Sequence, residues 1–288
     1  MDYALELENV SKTYQKSGFT LEKITFSVPS GSIMGFVGEN GAGKSTTIGC
    51  ILNTLFKDSG TIKLFNREMK DEDVEIREKI GVVYDGDNFP GYFSAEQLGN
   101  IMREIYRKWD NNLFEKYLRD FGLNRKQKIK TYSKGMTMKL AIAAALSHHP
   151  DLLILDEATS GLDPVMRDEM LDVFLDFVGT ENHSILLSSH ITSDLEKIAD
   201  YITFIHNGKI IMTEAKDELV YHYGIMRCSD KQFAALDKTD RIAWRKRDYQ
   251  TDVLVSNRDK AIKKYQNVMI DHATIDEIML LLIKGERE

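Results

Sequence analysis

Apolar and polar positions alternate along ALELENV, residues 4–10, and again along LEKITFSV, residues 21–28. That is the period of strands with one buried face. A continuous apolar run, Ile33–Val37, follows a SGS turn, so residues 3–37 read as strands. After a glycine-rich stretch, Ile48, Ile51, Leu52 and Leu55 fall on one helical face. KDSGTIKLF (57–65) reads as a turn and a strand, and VEIREKIGVVYDG (74–86) as a short helix and a buried strand. The pattern is helical from Ser94 to Leu123, in the pieces SAEQLGNIMREIYRKW and NNLFEKYLRDFGL, and again over the alanine-rich Ser133–Ser147. DLLILDE (151–157) and HSILLSSH (183–190) are apolar strands, and Asp163 before Pro164 predicts a helix N-cap with proline at the first position. ITFIHNGKIIMTE (202–214) predicts a hairpin turning at Asn207–Gly208.

Strands that are unbroken apolar runs, alternating with helices, predict a mainly parallel sheet covered on both faces. A helical insertion occupies residues 86–147. Beyond about Lys216 the order changes to strand-helix-strand-strand-helix-strand, closed by a helix over Ile275–Ile283 that is apolar on one side. The expected organisation is therefore an α/β domain over 1–215 and a small C-terminal α+β domain over 216–288.

The chain has 288 residues, enough for one large domain with an appendage, and 42% hydrophobic residues supply a sizeable core. A formal net charge of -7 argues against a chain built to coat nucleic acid. Two cysteines, Cys50 and Cys228, make no disulfide framework and fit a reducing compartment. The start, MDYALELENV, has no basic segment followed by an apolar run, so no signal peptide is expected. No apolar run approaches the roughly 20 residues that span a bilayer, so a role at a membrane would need another chain to cross it.

Chemistry concentrates in GENGAGKST, Gly38–Thr46. Gly, four residues, then Gly-Lys-Ser between a strand and a helix is the phosphate-binding loop pattern. Glycines let successive N–H groups curl around phosphate oxygens, and the helix N-terminus adds partial positive charge. Lys44 can reach the β- and γ-phosphates, and the Ser45 hydroxyl can hold Mg²⁺. LLILDE ends in Asp156, placed to hold Mg²⁺ through water, and Glu157, placed to polarise an attacking water. YSKGM, Tyr132–Met136, opens a helix with Ser133 near its cap. SGLD, Ser160–Asp163, follows the two acids, and His190 ends the strand ILLSS.

This order of motifs, from about residue 3 to 215, resembles the ATP-binding cassette of ABC transporters. The resemblance implies a RecA-like P-loop core, an antiparallel β subdomain, an inserted helical subdomain and a head-to-tail dimer in which ATP lies between the loop of one cassette and the signature of the other. It implies that Tyr14 stacks on adenine and that Asn40, Gly41, Gly43, Lys44, Ser45 and Thr46 contact phosphate and Mg²⁺. It further implies that Ser133 and Gly135 bind the γ-phosphate in trans, and that Asp156 is the Mg²⁺-associated acid. Glu157 then matches the catalytic base, Asp163 the acid crossing the dimer interface and His190 the switch histidine. The implied protein is a cytoplasmic ATPase subunit on the inner face of the cell membrane. It would drive export through a separate transmembrane permease, with a second cassette, identical or different, as partner.

Three departures stand out. The usual signature LSGGQ reads YSKGM, with Tyr132, Lys134 and Met136 replacing three residues; Asp85 stands where Gln is usual; Ala158 replaces Pro. A carboxylate at 85 can still ligate Mg²⁺ or its water, but when ionised it donates no hydrogen bond. YSKGM with a short C-terminal domain resembles the exporter branch that pairs with separate membrane subunits; within it, the Asp85 strand and NFPGYFSAEQL look like bacterial peptide and antibiotic-resistance exporters, exporters of phenol-soluble modulins among them. Two alternatives remain: a soluble ABC ATPase unconnected to transport, and a nucleotide-binding regulatory subunit with weak hydrolysis. The basic cluster Arg241, Arg245, Lys246 and Arg247 reads as a solvated strand face, with contact to acidic lipid or a partner as the other reading.

Overall fold

The computed structural model describes residues 2–70, 73–86, 88–179 and 183–287. Its centre is a six-stranded sheet whose order runs Lys209–Ala215, Tyr201–His206, Ile33–Val37, Ser184–Ser189, Leu152–Asp156, Ile80–Tyr84. The last five strands are parallel and Lys209–Ala215 adds an antiparallel edge. Every residue of Ile33–Val37, Leu152–Asp156 and Ser184–Ser189 is buried. This accounts for the unbroken apolar runs, because a parallel strand covered on both faces has no solvent side to mark with polar residues. The hairpin turns at Asn207 and Gly208, both at positive φ.

Residues 3–29 do not join that sheet. Tyr3–Thr13 and Thr20–Pro29 pair with Ser59–Leu64 and Arg67–Glu68 in a separate antiparallel sheet, with register shifts near Val10 that bend it. Its inner face packs Leu5, Leu7, Ile24 and Phe26 against Phe36 and Ile48.

The helical insertion consists of Ala95–Ile105, Asn111–Asp120 and Lys134–Leu146. Ser94 and Gln97 form a capping box, while Asp110 and Ser133 cap the next two helices. The expected helix through Trp109 stops at Ile105. Tyr106 turns extended and stacks on buried His148, ring centroids 4.0 Å apart.

The C-terminal strands Gly224–Cys228, Ala243–Lys246, Thr251–Val255 and Met269–His272 form an antiparallel sheet in which the first and third are central. That is the strand-helix-strand-strand-helix-strand order of ferredoxin-like units. One face carries Asp230–Ala235 and Arg258–Lys264 over Met226, Val253 and Val255. The other face is continuous with the cassette: Ile225, Leu254, Ile278 and Leu282 share one apolar cluster with Leu195, Ile198, Ile202 and Leu187. The Ile275 N–H donates to Glu196 Oε1 at 2.7 Å across this junction.

The basic cluster is mostly spent inside this unit. Lys246 pairs with Asp230, and Arg241 lies 4.5 Å over Phe233. Arg247 and Arg227 hold Asp252, which is 1% exposed. Burial alone would push the Asp252 carboxyl up; the two guanidinium groups outweigh it and hold it below its ordinary value.

Candidate functional site

A cavity of about 490 Å³ opens where Ile33–Val37 gives way to the helix Lys44–Ile51. It is lined by Tyr14, Asn40, Gly41, Gly43, Lys44, Ser45, Thr46 and Glu157, all singled out in the sequence. Gly43 is the helix N-cap with φ 117, and a Cβ there would lie 2.6 Å from Leu21. Glycine is the residue that allows both the backbone turn and the close approach. Ser45 is exposed in the first turn. Tyr14 sits half-buried at the rim, its ring 6.5 Å from that of Phe19. Phe19, Ser17 and Glu39 also line the cavity. The sequence reading missed them, although an aromatic five residues after Tyr14 was a visible signal for Phe19.

Lys44 is 6% exposed and reaches across the loop it belongs to. Its Nζ donates to Gly38 O at 2.7 Å and Glu39 O at 3.3 Å, and lies 3.1 Å from Glu157 Oε1. Glu157 sits just past Leu152–Asp156 with φ 55. A non-glycine residue in that region is strained; it is held there by its own N–H to Ser188 O at 3.0 Å and by Ser160 N–H to its carbonyl at 3.0 Å. The turn aims the carboxylate at the cavity. Glu157 Oε2 lies 2.6 Å from His190 Nδ1, which donates because an ionised carboxylate only accepts. Lys44, Glu157 and His190 thus form one chain of contacts from the phosphate loop to the far strand end. Asp156 is buried beneath, one oxygen accepting from Ser188 Oγ at 2.8 Å.

The other expected residues lie elsewhere. Ser133 is exposed and caps Lys134–Leu146, accepting from the Met136 N–H at 3.2 Å. Gly135 backs onto the helix Pro164–Val178 so closely that a Cβ would sit 2.0 Å from Met166 Sδ. Asp163 is exposed and caps that helix through the Val165 and Met166 N–H groups. None of the three lines the cavity beside Lys44. Asp85, expected at the metal, is 2.8 Å from Lys134 Nζ and lines a different cavity with Tyr132 and Thr137. Two of the three departures from the family pattern therefore meet each other in space.

Ser45 and Asp156 provide oxygen donors suited to Mg²⁺. Among the described residues no cluster of three or more His, Cys, Asp or Glu could form an all-protein metal cage. A sparse oxygen set fits an ion that completes its shell with water and substrate phosphate.

A family model described as ABC transporter matches residues 21–160. The chain is 35% identical over 214 residues to the bacitracin transport ATP-binding protein BcrA of Enterococcus faecalis, covering 73% of this chain and 69% of that one. It is 34% identical over 215 residues to the lantibiotic transport ATP-binding protein SrtF of Streptococcus pyogenes, covering 74% and 91%. Among solved structures, an ATP-binding subunit of an ABC transporter superposes with a TM-score of 0.68 at 27% identity, over 75% of this chain and 91% of that one.

Proposed function

From its place in the ABC transporter family, to which this chain belongs as an ATP-binding, ATP-hydrolysing subunit, we propose that it powers export of an antibiotic- or peptide-type cargo through a separate transmembrane subunit. The observation that carries the reading is Glu157, held between Lys44 at 3.1 Å and His190 at 2.6 Å on the wall of the phosphate-loop cavity. In this reading Lys44 and the loop N–H groups neutralise charge on the transferred phosphoryl group. Glu157 polarises the attacking water, His190 orients Glu157, and Tyr14 stacks on the base. Mg²⁺, when bound, would be held by Ser45 and Asp156 and would supply positive charge to the phosphates. Asp85 is left out of this set because it pairs with Lys134.

Ser133, Gly135 and Asp163 serve a second cassette, identical or different. Ser133 and Asp163 are exposed at helix N-termini away from the chain's own cavity, with Gly135 buried in the first turn behind Ser133, and this supports the head-to-tail arrangement. We take residues 1–215 as the cassette and 216–288 as its accessory unit. No helix among the described residues is long and apolar enough to cross a membrane, in keeping with a peripheral position on the inner face. The test is affinity purification of the chain from detergent-solubilised native membranes, with mass spectrometry of its companions. A stoichiometric polytopic membrane protein is expected; recovery only with ribosomal or DNA-bound proteins would overturn the transport role.

A further inference from the structure

Three buried polar atoms outside the site, on Thr159, Arg167 and Asp194, converge behind it. Thr159 is fully buried in the loop between Glu157 and Asp163. Asp194, 2% exposed, lies in the first turn of Thr192–Ile198, the helix that follows His190. Arg167 lies in the first turn of Pro164–Val178, the helix that Asp163 caps. Arg167 Nη2 donates to Leu162 O at 3.1 Å, next to Asp163, while its Nε faces Asp194 Oδ2 at 3.9 Å. Burial pushes the Asp194 carboxyl above its ordinary value, while the Thr159 hydroxyl beside it and the Arg167 charge pull it back down. Yet Thr159 Oγ1, Arg167 Nε and Asp194 Oδ2 are all buried without an aligned hydrogen-bond partner.

Buried polar groups left open in this way are costly and demand an explanation. A charge-assisted N–H···O bond closes at about 2.8 Å, so the Arg167–Asp194 pair stands roughly 1 Å from closure. A small shift of the loop or of the helix would complete it. The two helices it joins follow closely on Asp163, which is exposed, and on His190, which holds Glu157.

We propose that Arg167 and Asp194 are positioning residues for ATP hydrolysis: their bridge ties the loop carrying Asp163 to the helix behind His190 and draws both into place when the site closes. Neither touches nucleotide; each acts through Leu162 O or through the helix. The inference rests on the ATPase reading above.

The experiment compares the full-length wild type with Asp194→Asn, Arg167→Met, Arg167→Lys and the Asp194→Asn/Arg167→Met double variant. Steady-state phosphate release, ATP titration and thermal unfolding are measured for each. The expected result is a kcat lowered about tenfold or more by each neutralising variant, KM for ATP within about twofold, and a double variant no worse than the poorer single one, as for residues acting as a unit. Arg167→Lys, which keeps the charge, recovers part of the loss. A general loss of packing would instead lower the melting temperature and multiply in the double variant, and that outcome overturns the proposal. So does unchanged kcat in both single variants beside an active wild type. Should Asp194→Asn fail to fold, the Arg167→Met and Arg167→Lys pair decides by the same kcat-against-KM split. Absence of turnover in the wild type would overturn the ATPase reading itself and the bridge with it.

Discussion

Glu157→Gln separates binding from chemistry at this site. Glutamine keeps the shape of the side chain and an acceptor for His190 Nδ1, now at 2.6 Å, but removes the charge that faces Lys44 Nζ at 3.1 Å. A positioned base contributes about 10²–10⁴-fold, or about 3–5 kcal/mol of barrier. ATP turnover should therefore fall at least about 100-fold. Binding should move the other way. Lys44 is shared among Gly38 O, Glu39 O and Glu157. The gross attraction of a pair at such a distance is about 5 kcal/mol at an effective dielectric of about 20. Desolvation of two side chains 6% and 14% exposed offsets most of it. Removing the carboxylate frees Lys44 for phosphate, so the Kd for ATP should stay level or tighten by up to about tenfold. Phosphate release and equilibrium ATP titration read the two effects separately. Turnover within tenfold of wild type, or affinity weakened more than tenfold, would refute the role given to Glu157.

Lys44→Ala should raise the Kd for ATP about 10–100-fold, the loss of a charged hydrogen bond of about 1.5–3 kcal/mol; an unchanged titration would remove Lys44 from the phosphate. Asp85 and Lys134 are 42% and 47% exposed, so a double-mutant cycle on unfolding with Asp85→Asn and Lys134→Gln should give a coupling of only about 0.2–1 kcal/mol, fading in high salt. A salt-independent coupling above about 2 kcal/mol would mean a far more buried pair than this. Ile278→Ala, at a fully buried position, should cost about 2–5 kcal/mol. Because Ile278 shares its cluster with Leu187 and Ile202, calorimetry should show the cassette and the C-terminal unit shifting together. A C-terminal transition that moves alone would contradict the shared core.

The phosphate loop, the Asp156–Glu157 strand end and the capped helices were legible because local chemistry dictates them: glycines at a forced turn, Ser133 and Asp163 at N-caps, unbroken apolar strands. The assignment of residues 3–29 to a sheet of their own was not legible from alternation, which reports a buried face and not which sheet shares it. Thr192–Ile198 was also missed, since Ile191 gives it no side-chain cap. Its apolar spacing at 191, 195, 198 and 199 was the signal available. Asp194 reads as one more surface acid in TSDLEK, and only the fold shows it buried. Asp85 and Lys134 were each visible as departures from the family pattern, but nothing local announced that they meet.

The central claim is that two chains complete each ATP site, and mixed-variant complementation tests it most directly. Lys44→Ala breaks the phosphate loop, and Ser133→Arg blocks the exposed signature cap. Purified separately, each should be inactive. Mixed in equal amounts, half the dimers would pair one of each and hold one intact composite site, restoring about a quarter of wild-type hydrolysis under two-fold symmetry. No recovery from two folded variants, beside an active wild type, would contradict the shared site.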